Sequence, residues 1–457
     1  MSQLRATYPF TRAWAVLLAC GLRLGAGVAG ESKLRIENVA VAPRDAKTAT
    51  VRFDIAWENS WRTKINHDAA WVFFKVRADD KSDWQHVRLA AEKVLNPAGY
   101  GQAEGGMRLD FIVPDGDDGF TGLFVRQVAE GKGPVAARGV TAIWDFTANK
   151  GITKDTKVKV LAFGIEMVYV ADGPFCLGSG GAELGGFFQY TDGNQHALPY
   201  RVTGPGAIPT GRQKGLLWAR KGAQPEDGGE IPASFPNGYG AFYCMKRHIT
   251  WEQYAGFLNT LTPAQAVARC PEERERIVRS GEPPNCTYSA ARGGAARGLS
   301  WADGAAWAAW AGLRPMTELE WEKAIRGPRE PKPDEVGPSS WGIPFGDWFW
   351  VPLHDRDGER AVTVGNANGR KFKGTHGAGT PALPADWPQD DAVGAGVRSC
   401  GRTGATTRLS DRLYAAAVEP ERKPPVPAAW DTYDSQAGES HPLPWRGVRT
   451  APKGVGN

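Results

Sequence analysis

The hydrophobic pattern of this chain changes period once, near Ile165, and that change limits it to two architectures in series. Before it, apolar side chains recur on every second residue in short runs. In Thr50-Val51-Arg52-Phe53-Asp54-Ile55-Ala56-Trp57 one strand face is apolar and the other polar, the signature of a half-buried strand. Similar runs cover 34–41, 71–76, 84–89, 107–113, 122–125, 140–146 and 158–163, and turn clusters such as Pro-Asp-Gly-Asp-Asp-Gly at 114–119 separate them. About eight strands without helical periodicity predict an antiparallel β-sandwich over 31–164.

After Ile165 helix starts become readable between long Gly-rich stretches. Thr250-Trp251-Glu252-Gln253 is a capping box, followed by Tyr254, Phe257 and Leu258 on one helical face. Ser300-Trp301-Ala302-Asp303 starts a second helix with the stripe Trp301, Ala305 and Ala308, and Gly312 supplies its left-handed stop. Thr317-Glu318-Leu319-Glu320 starts a third, whose Trp321 and Ala324 face inward and whose Glu318, Glu320 and Glu322 read as helix-start charges. Beyond 328 the pattern is mostly coil. With 57 Gly and 18 Trp in 457 residues, the second part is loop-rich with tryptophan as core material. The 42% hydrophobic content excludes disorder of the whole chain. Together the two parts make an α+β protein.

Charge excludes one class of partner. Fifty-five basic and 50 acidic residues give +5 with no concentrated basic run, so nucleic acid is not expected. Residues 1–30 resemble an export signal: Arg5 and Arg12 precede the apolar stretch 13–22, and small residues follow at 25–30. That stretch is too short to span a bilayer, which needs about 20 residues. Two outcomes stand, simple cleavage after Ala29 or Gly30, or lipid attachment at Cys20 within Leu17-Leu18-Ala19-Cys20, which would tie the protein to an outer membrane. Localisation is expected to be periplasmic, outer-membrane-associated or extracellular. Export permits disulfides, and Cys270 and Cys286 are spaced for a local bridge. The other cysteines are Cys176, Cys244 and Cys400; no Cys-x-x-Cys pair suggests zinc, and no His-x-x-x-His pattern suggests another metal.

Three segments carry a family resemblance: 165–180 (IEMVYVADGPFCLGSG), 235–262 (FPNGYGAFYCMKRHITWEQYAGFLNTLT) and, most specifically, 298–327 (GLSWADGAAWAAWAGLRPMTELEWEKAIRG). With the chain end at 396–417 and 445–450, they resemble the formylglycine-generating enzyme, or sulfatase-modifying-factor, domain over about 165–452. The resemblance implies a variant of the C-type lectin fold for 165–457, preceded by an immunoglobulin- or fibronectin-like sandwich.

What it implies about chemistry is less direct. Active members hold copper with two cysteines near the closing strands, because soft thiolates select Cu(I). Aligned on Val397-Arg398, this chain places Gly404 and Leu409 at those positions, and Cys400 just before them, so copper is not expected. The family's calcium loop is shortened here to Asp357-Gly358-Glu359-Arg360; of its side-chain ligands only Glu359 remains, and Asp355 and Asp357 are the nearby oxygens from which a calcium site would be rebuilt. No other cofactor is expected. An apparent insertion at 423–444 and its neighbours carry Trp430, Tyr433, Trp445, Arg402 and Arg412, residue types that anchor interfaces and are candidates for a ligand surface. The expectation is a non-catalytic binding or structural protein of an envelope or extracellular assembly, with a protein partner and an open oligomeric state. Two alternatives remain: an oxygen-dependent formylglycine-generating-type enzyme with an altered metal site, and a lectin-like receptor.

Overall fold

The computed structural model describes residues 34–79, 82–94, 108–114, 120–183, 185–192, 198–220, 229–270, 276–282, 285–291, 293–297, 299–335, 359–398, 408–413, 432–434, 440–442 and 444–453. The first eight strands considered are Arg35–Pro43 (β1), Thr48–Arg62 (β2), Asp68–Arg77 (β3), Leu89–Val94 (β4), Leu109–Ile112 (β5), Leu123–Gln127 (β6), Gly131–Asp145 (β7) and Lys159–Val170 (β8). Further on come Phe242–Met245 (β9), Ile277–Ser280 (β10), Thr287–Ala290 (β11), Arg314–Pro315 (β12), Glu359–Val362 (β13), Ala395–Arg398 (β14), Arg412–Leu413 (β15) and Gly447–Thr450 (β16). The helices are Trp251–Leu258 (α1), Pro263–Arg269 (α2), Trp301–Trp310 (α3), Glu318–Arg326 (α4) and Ala367–Arg370 (α5).

Two antiparallel sheets take most of these strands, while β10 pairs with β11, and β13, β14 and β15 form a small sheet of their own. One has four strands in the order β1-β2-β7-β4. The other runs β12-β16-β9-β8-β3-β6-β5, with the short strand Gln85–His86 beside β3. The second sheet draws strands from both halves of the chain. The boundary expected at 164/165 falls inside β8, where Gly164 pairs with Val72 and Ile165 with Trp71.

Strand β3 explains how one sheet serves both halves. Its alternate residues Ala70, Val72, Phe74 and Val76 pack into a core with Val51, Phe53, Ile55 and Trp57 of β2. The residues between them, Ala69, Trp71 and Phe73, pack into a second core with the α1 and α3 side chains Tyr254, Phe257, Trp307 and Trp310. A strand covered on both faces needs side chains that are apolar or hydrogen-bonded on both, and 69–74 is accordingly an unbroken apolar run. Its alternation therefore has no wet face, contrary to the expectation for 71–76.

The helices begin where their caps predict. Thr250 and Gln253 form a capping box on α1, Thr317 and Glu320 form one on α4, and Ser300 caps α3 with Asp303. Gly312 at φ 71 turns the chain after α3 as expected. Two helices were not expected, α2 and the single-turn α5. Thr262-Pro263-Ala264-Gln265 gives α2 a full capping box with Pro in its first turn.

Helix α3 ends against the N-terminal strands. Its last carbonyls have no partner within the helix, and side chains of β3 supply them. Trp71 Nε1 donates to Ala311 O at 2.8 Å, and Lys75 Nζ donates to Trp310 O at 2.7 Å. Lys75 also donates to Gly379 O at 2.7 Å and lies 2.9 Å from His86 Nδ1. Arg449 of β16 donates to Gly312 O and lies over the Trp71 ring. Burial pushes the Lys75 amine well below its ordinary value, and its N–H groups meet the negative end of the helix dipole.

Candidate functional site

The most concentrated chemistry surrounds α4. All nine of its residues are buried, including Glu318, Glu320 and Glu322. A helix start needs one acidic cap, which Glu320 provides by accepting the Thr317 N–H at 3.0 Å. Glu318 and Glu322, one turn apart, point instead into the protein, so the expectation of simple helix-start charges holds only for Glu320.

Each buried carboxylate is saturated. Glu318 Oε1 accepts from Thr363 Oγ1 at 2.8 Å, Val364 N at 2.6 Å and Arg412 Nη2 at 3.0 Å. Its Oε2 accepts from Arg412 Nε and lies 3.7 Å from Arg398 Nη1. Glu322 Oε1 accepts from Arg326 Nη2 at 2.9 Å, Ser410 Oγ at 2.7 Å and Gly178 N at 2.5 Å, while Oε2 accepts from Arg398 Nη2 at 2.9 Å. Arg326 also pairs with Glu335 and donates to Cys176 O at 2.6 Å. Three guanidinium groups thus face three carboxylates, and the cluster is neutral. Beside it Arg314 grips Glu320 through two hydrogen bonds, of 2.8 and 2.6 Å.

Electrostatics follow from these pairs. Burial alone would push the carboxyls of Glu318 and Glu322 up. Arg412 at Glu318, Arg326 at Glu322 and Arg398 at both outweigh it and hold them below the ordinary range. A carboxylate held ionised and fully hydrogen-bonded has little tendency to take a substrate proton, so this arrangement fixes backbone segments rather than moving protons. It ties α4 to the loop 363–364, to β14, to 408–412 and to Gly178.

Glu359, expected as a calcium ligand, belongs to the adjoining network. Its Oε2 accepts from Trp321 Nε1 at 3.0 Å, and Oε1 pairs with Arg446 Nε at 3.0 Å and stands 3.5 Å from His248 Nε2. Burial raises its carboxyl, but Arg446 and His248 bring it down to about 2. Glu359 is 2% exposed, and both of its oxygens face framework partners. Among the described residues no group of three or more His, Cys, Asp or Glu is placed to hold a metal ion.

Two surface candidates are core residues. Arg412 is 1% exposed because its charge is neutralised by Glu318, and its guanidinium also stacks 4.1 Å from the Phe187 ring centroid. Trp445 is 1% exposed and packs on Trp301 at 5.7 Å between ring centroids. Gly304 makes room for it, since a Cβ there would lie 2.3 Å from the indole. Cys20, Asp355, Asp357, Cys400, Arg402, Gly404, Trp430 and the side chain of Tyr433 lie outside the described residues. Cys270 and Cys286 stand as thiols, each partly buried against the larger core. Cys244 is buried beneath α4, where burial pushes its thiol up to about 12.

Leu409 occupies one of the positions at which the family resemblance implies a copper-binding cysteine. It is fully buried in an apolar cluster with Trp321, Ala324, Ile325 and Cys244. Its N–H donates to Glu335 O at 2.9 Å, and the next residue, Ser410, is held by Glu322 and Arg326. Residues 212–342 match the model of the sulfatase-modifying factor enzyme 1-like domain. A domain of that family is therefore present in the chain. None of the curated proteins and none of the solved structures matches the chain. The matched segment of the sulfatase-modifying-factor-like domain contains α1 to α4 with all three glutamates of α4. Their partners Arg398 and Arg412 lie beyond it.

The site makes stability depend on pH. Burial pushes His248 down to about 4, with Arg446 adding to the effect, and burial with Arg314 nearby pushes His376 down to about 3. An unfolded histidine titrates near 6.5. Below about pH 6.5 the unfolded chain therefore binds protons that the native state refuses. Stability falls with pH through the window from about 6.5 to about 4, by about 1.4 kcal/mol per pH unit for each histidine. Glu318, Glu322 and Glu359, whose folded values are depressed, contribute stability present above about 4.3 and lost on further acidification. The expected result is a thermal midpoint that declines from pH 7 to 4.5. A midpoint constant across that range would contradict the burial of neutral histidines.

Proposed function

We infer that this chain is an exported, non-catalytic binding or structural protein built on a sulfatase-modifying-factor-like domain. In this account an antiparallel β-sandwich precedes a lectin-like variant fold, and the protein serves an envelope or extracellular assembly. The observation that carries the non-catalytic reading is Leu409. Where the resemblance implies one of two thiolates, an aliphatic side chain fills the core beside Trp321 and Ile325. A two-sulfur Cu(I) site cannot form at that position without its second sulfur. The saturated glutamates of α4 support the same conclusion, because their charges are spent on closing the fold. Export rests on the N-terminal thirty residues, and Cys20 would add a lipid anchor if it is processed.

Titration of the purified chain with Cu(I), followed by oxygen-uptake measurements with a cysteine-containing sulfatase peptide, tests this. The expected result is no stoichiometric thiolate-bound copper and oxygen consumption equal to the blank. Tight one-to-one Cu(I) binding with conversion of the peptide cysteine would overturn the proposal and favour the altered-site enzyme.

A further inference from the structure

The two thiols Cys270 and Cys286 have no part in the framework around α4, yet both are held against α1. Cys270 is the C-cap of α2, and the residue before it is pinned by Tyr254 Oη of α1, which donates to Arg269 O at 2.8 Å. Cys286 directly precedes β11. That strand is pinned to the end of α1 by Asn259, whose Nδ2 donates to Tyr288 O at 2.7 Å and whose Oδ1 accepts from Tyr288 N at 2.8 Å. On the other side, β11 pairs with β10 from Ser280 opposite Thr287, and Gly281 follows β10 at φ 83. Cys286 Sγ rests 3.7 Å from Gly281 O. One helix therefore fixes both ends of the fifteen-residue span between the cysteines, and both cysteines pack against the larger core.

We propose that Cys270 and Cys286 are an oxidisable pair that forms a disulfide clasp, locking α2 to the β10–β11 hairpin. The oxidant is a small-molecule disulfide such as glutathione disulfide. A cysteine thiolate attacks it, releasing one glutathione thiol and forming a mixed disulfide. The second cysteine then displaces the other glutathione, so two protein thiols become one S–S bond and one glutathione disulfide becomes two glutathione thiols. Both chain sulfurs are partly accessible, as the exchange requires, whereas Cys176 and Cys244 are buried. Burial, and then the neighbouring Cys286, hold the Cys270 thiol above its ordinary value, so exchange quickens as pH rises through the thiol range.

The inference does not depend on the copper question, and it is tested on the purified full-length chain in glutathione buffers of graded potential. The readouts are alkylation of native thiols, mass spectrometry of the digested protein, and thermal melting. In oxidising buffer, Cys270 and Cys286 are expected to lose alkylation together, their peptides to become linked, and the midpoint to rise by a few degrees over the reduced form. Cys270→Ser and Cys286→Ser should each abolish the linked peptide and the oxidised increment, while leaving the reduced midpoint unchanged. Continued alkylation of both thiols in the most oxidising buffer, linkage to other cysteines instead, or a bridge without any rise in midpoint would overturn the proposal.

Discussion

A truncated chain beginning at Lys159 should fail to fold, although it keeps the whole matched segment 212–342 and helices α1 to α5. Three losses combine. The core behind α1 and α3 loses two fully buried rings: Trp71, packed on Phe124, and Phe73, packed on Phe163 and Trp310. Strand β8 loses β3 along ten paired residues and becomes an open, apolar edge. The carbonyls of Trp310 and Ala311 lose Lys75 and Trp71. Removing one large buried aromatic side chain typically costs about 3–5 kcal/mol, comparable with half the total stability of an ordinary domain. Trp71→Ala in the full chain should therefore already lower the midpoint steeply, and the truncation should leave aggregated or expanded protein by gel filtration and circular dichroism. A soluble, cooperatively melting fragment would show instead that the second half carries its own complete core.

This dependence explains what the sequence revealed and what it concealed. Alternation in 50–57 marks a strand with one wet face, and β2 has that pattern. In 69–74 the apolar run is unbroken, and that was the available sign that β3 is covered twice. The shift of period near Ile165 marks where helices begin, but a strand can cross such a point. β8 does so, because its first half pairs with nothing that its second half does not also pair with: both lie along β3. Caps were readable because they are local, within three residues. Thr262 and Gln265 carried the same signal for α2, and the short apolar content of that helix masked it.

The framework around α4 was less legible for a physical reason. Glu318 meets Arg412 across 94 positions and Glu322 meets Arg398 across 76, and no periodicity encodes such pairs. Arg and Trp types also mislead, since they favour interfaces but bury readily when the guanidinium is paired or the indole is packed. Arg412 and Trp445 took the second course. A usable hint lay in the helix itself: Glu318 and Glu322 sit one turn apart on a segment where Leu319, Trp321, Ala324 and Ile325 leave little room for a solvated face. Acidic residues on such a helix require cations, and the closing strands of the chain supply Arg398 and Arg412.

Glu322→Gln should be among the most damaging single substitutions in the chain, even though it changes one oxygen to nitrogen. The new amide presents donors where Arg326, Ser410, Gly178 and Arg398 already donate, and it removes the charge that balances two guanidinium groups. Leaving a buried ion without its partner costs about 3–5 kcal/mol. Glu252→Gln, on the partly exposed first turn of α1, should by contrast cost less than about 0.5 kcal/mol. The decisive measurement is a double-mutant cycle by chemical denaturation. Arg398→Met alone strands Glu322 Oε2, whereas Glu322→Gln with Arg398→Met removes both charges, so the double variant should be less destabilised than the sum of the singles by more than 1 kcal/mol. Additive losses would mean that the two side chains do not meet. A mild effect of Glu322→Gln alone would mean that the carboxylate is not ionised in the folded protein, contrary to the depression that Arg326 and Arg398 impose on it. The cluster would then be free to exchange a proton, and the case for a purely structural role of α4 would fail with it.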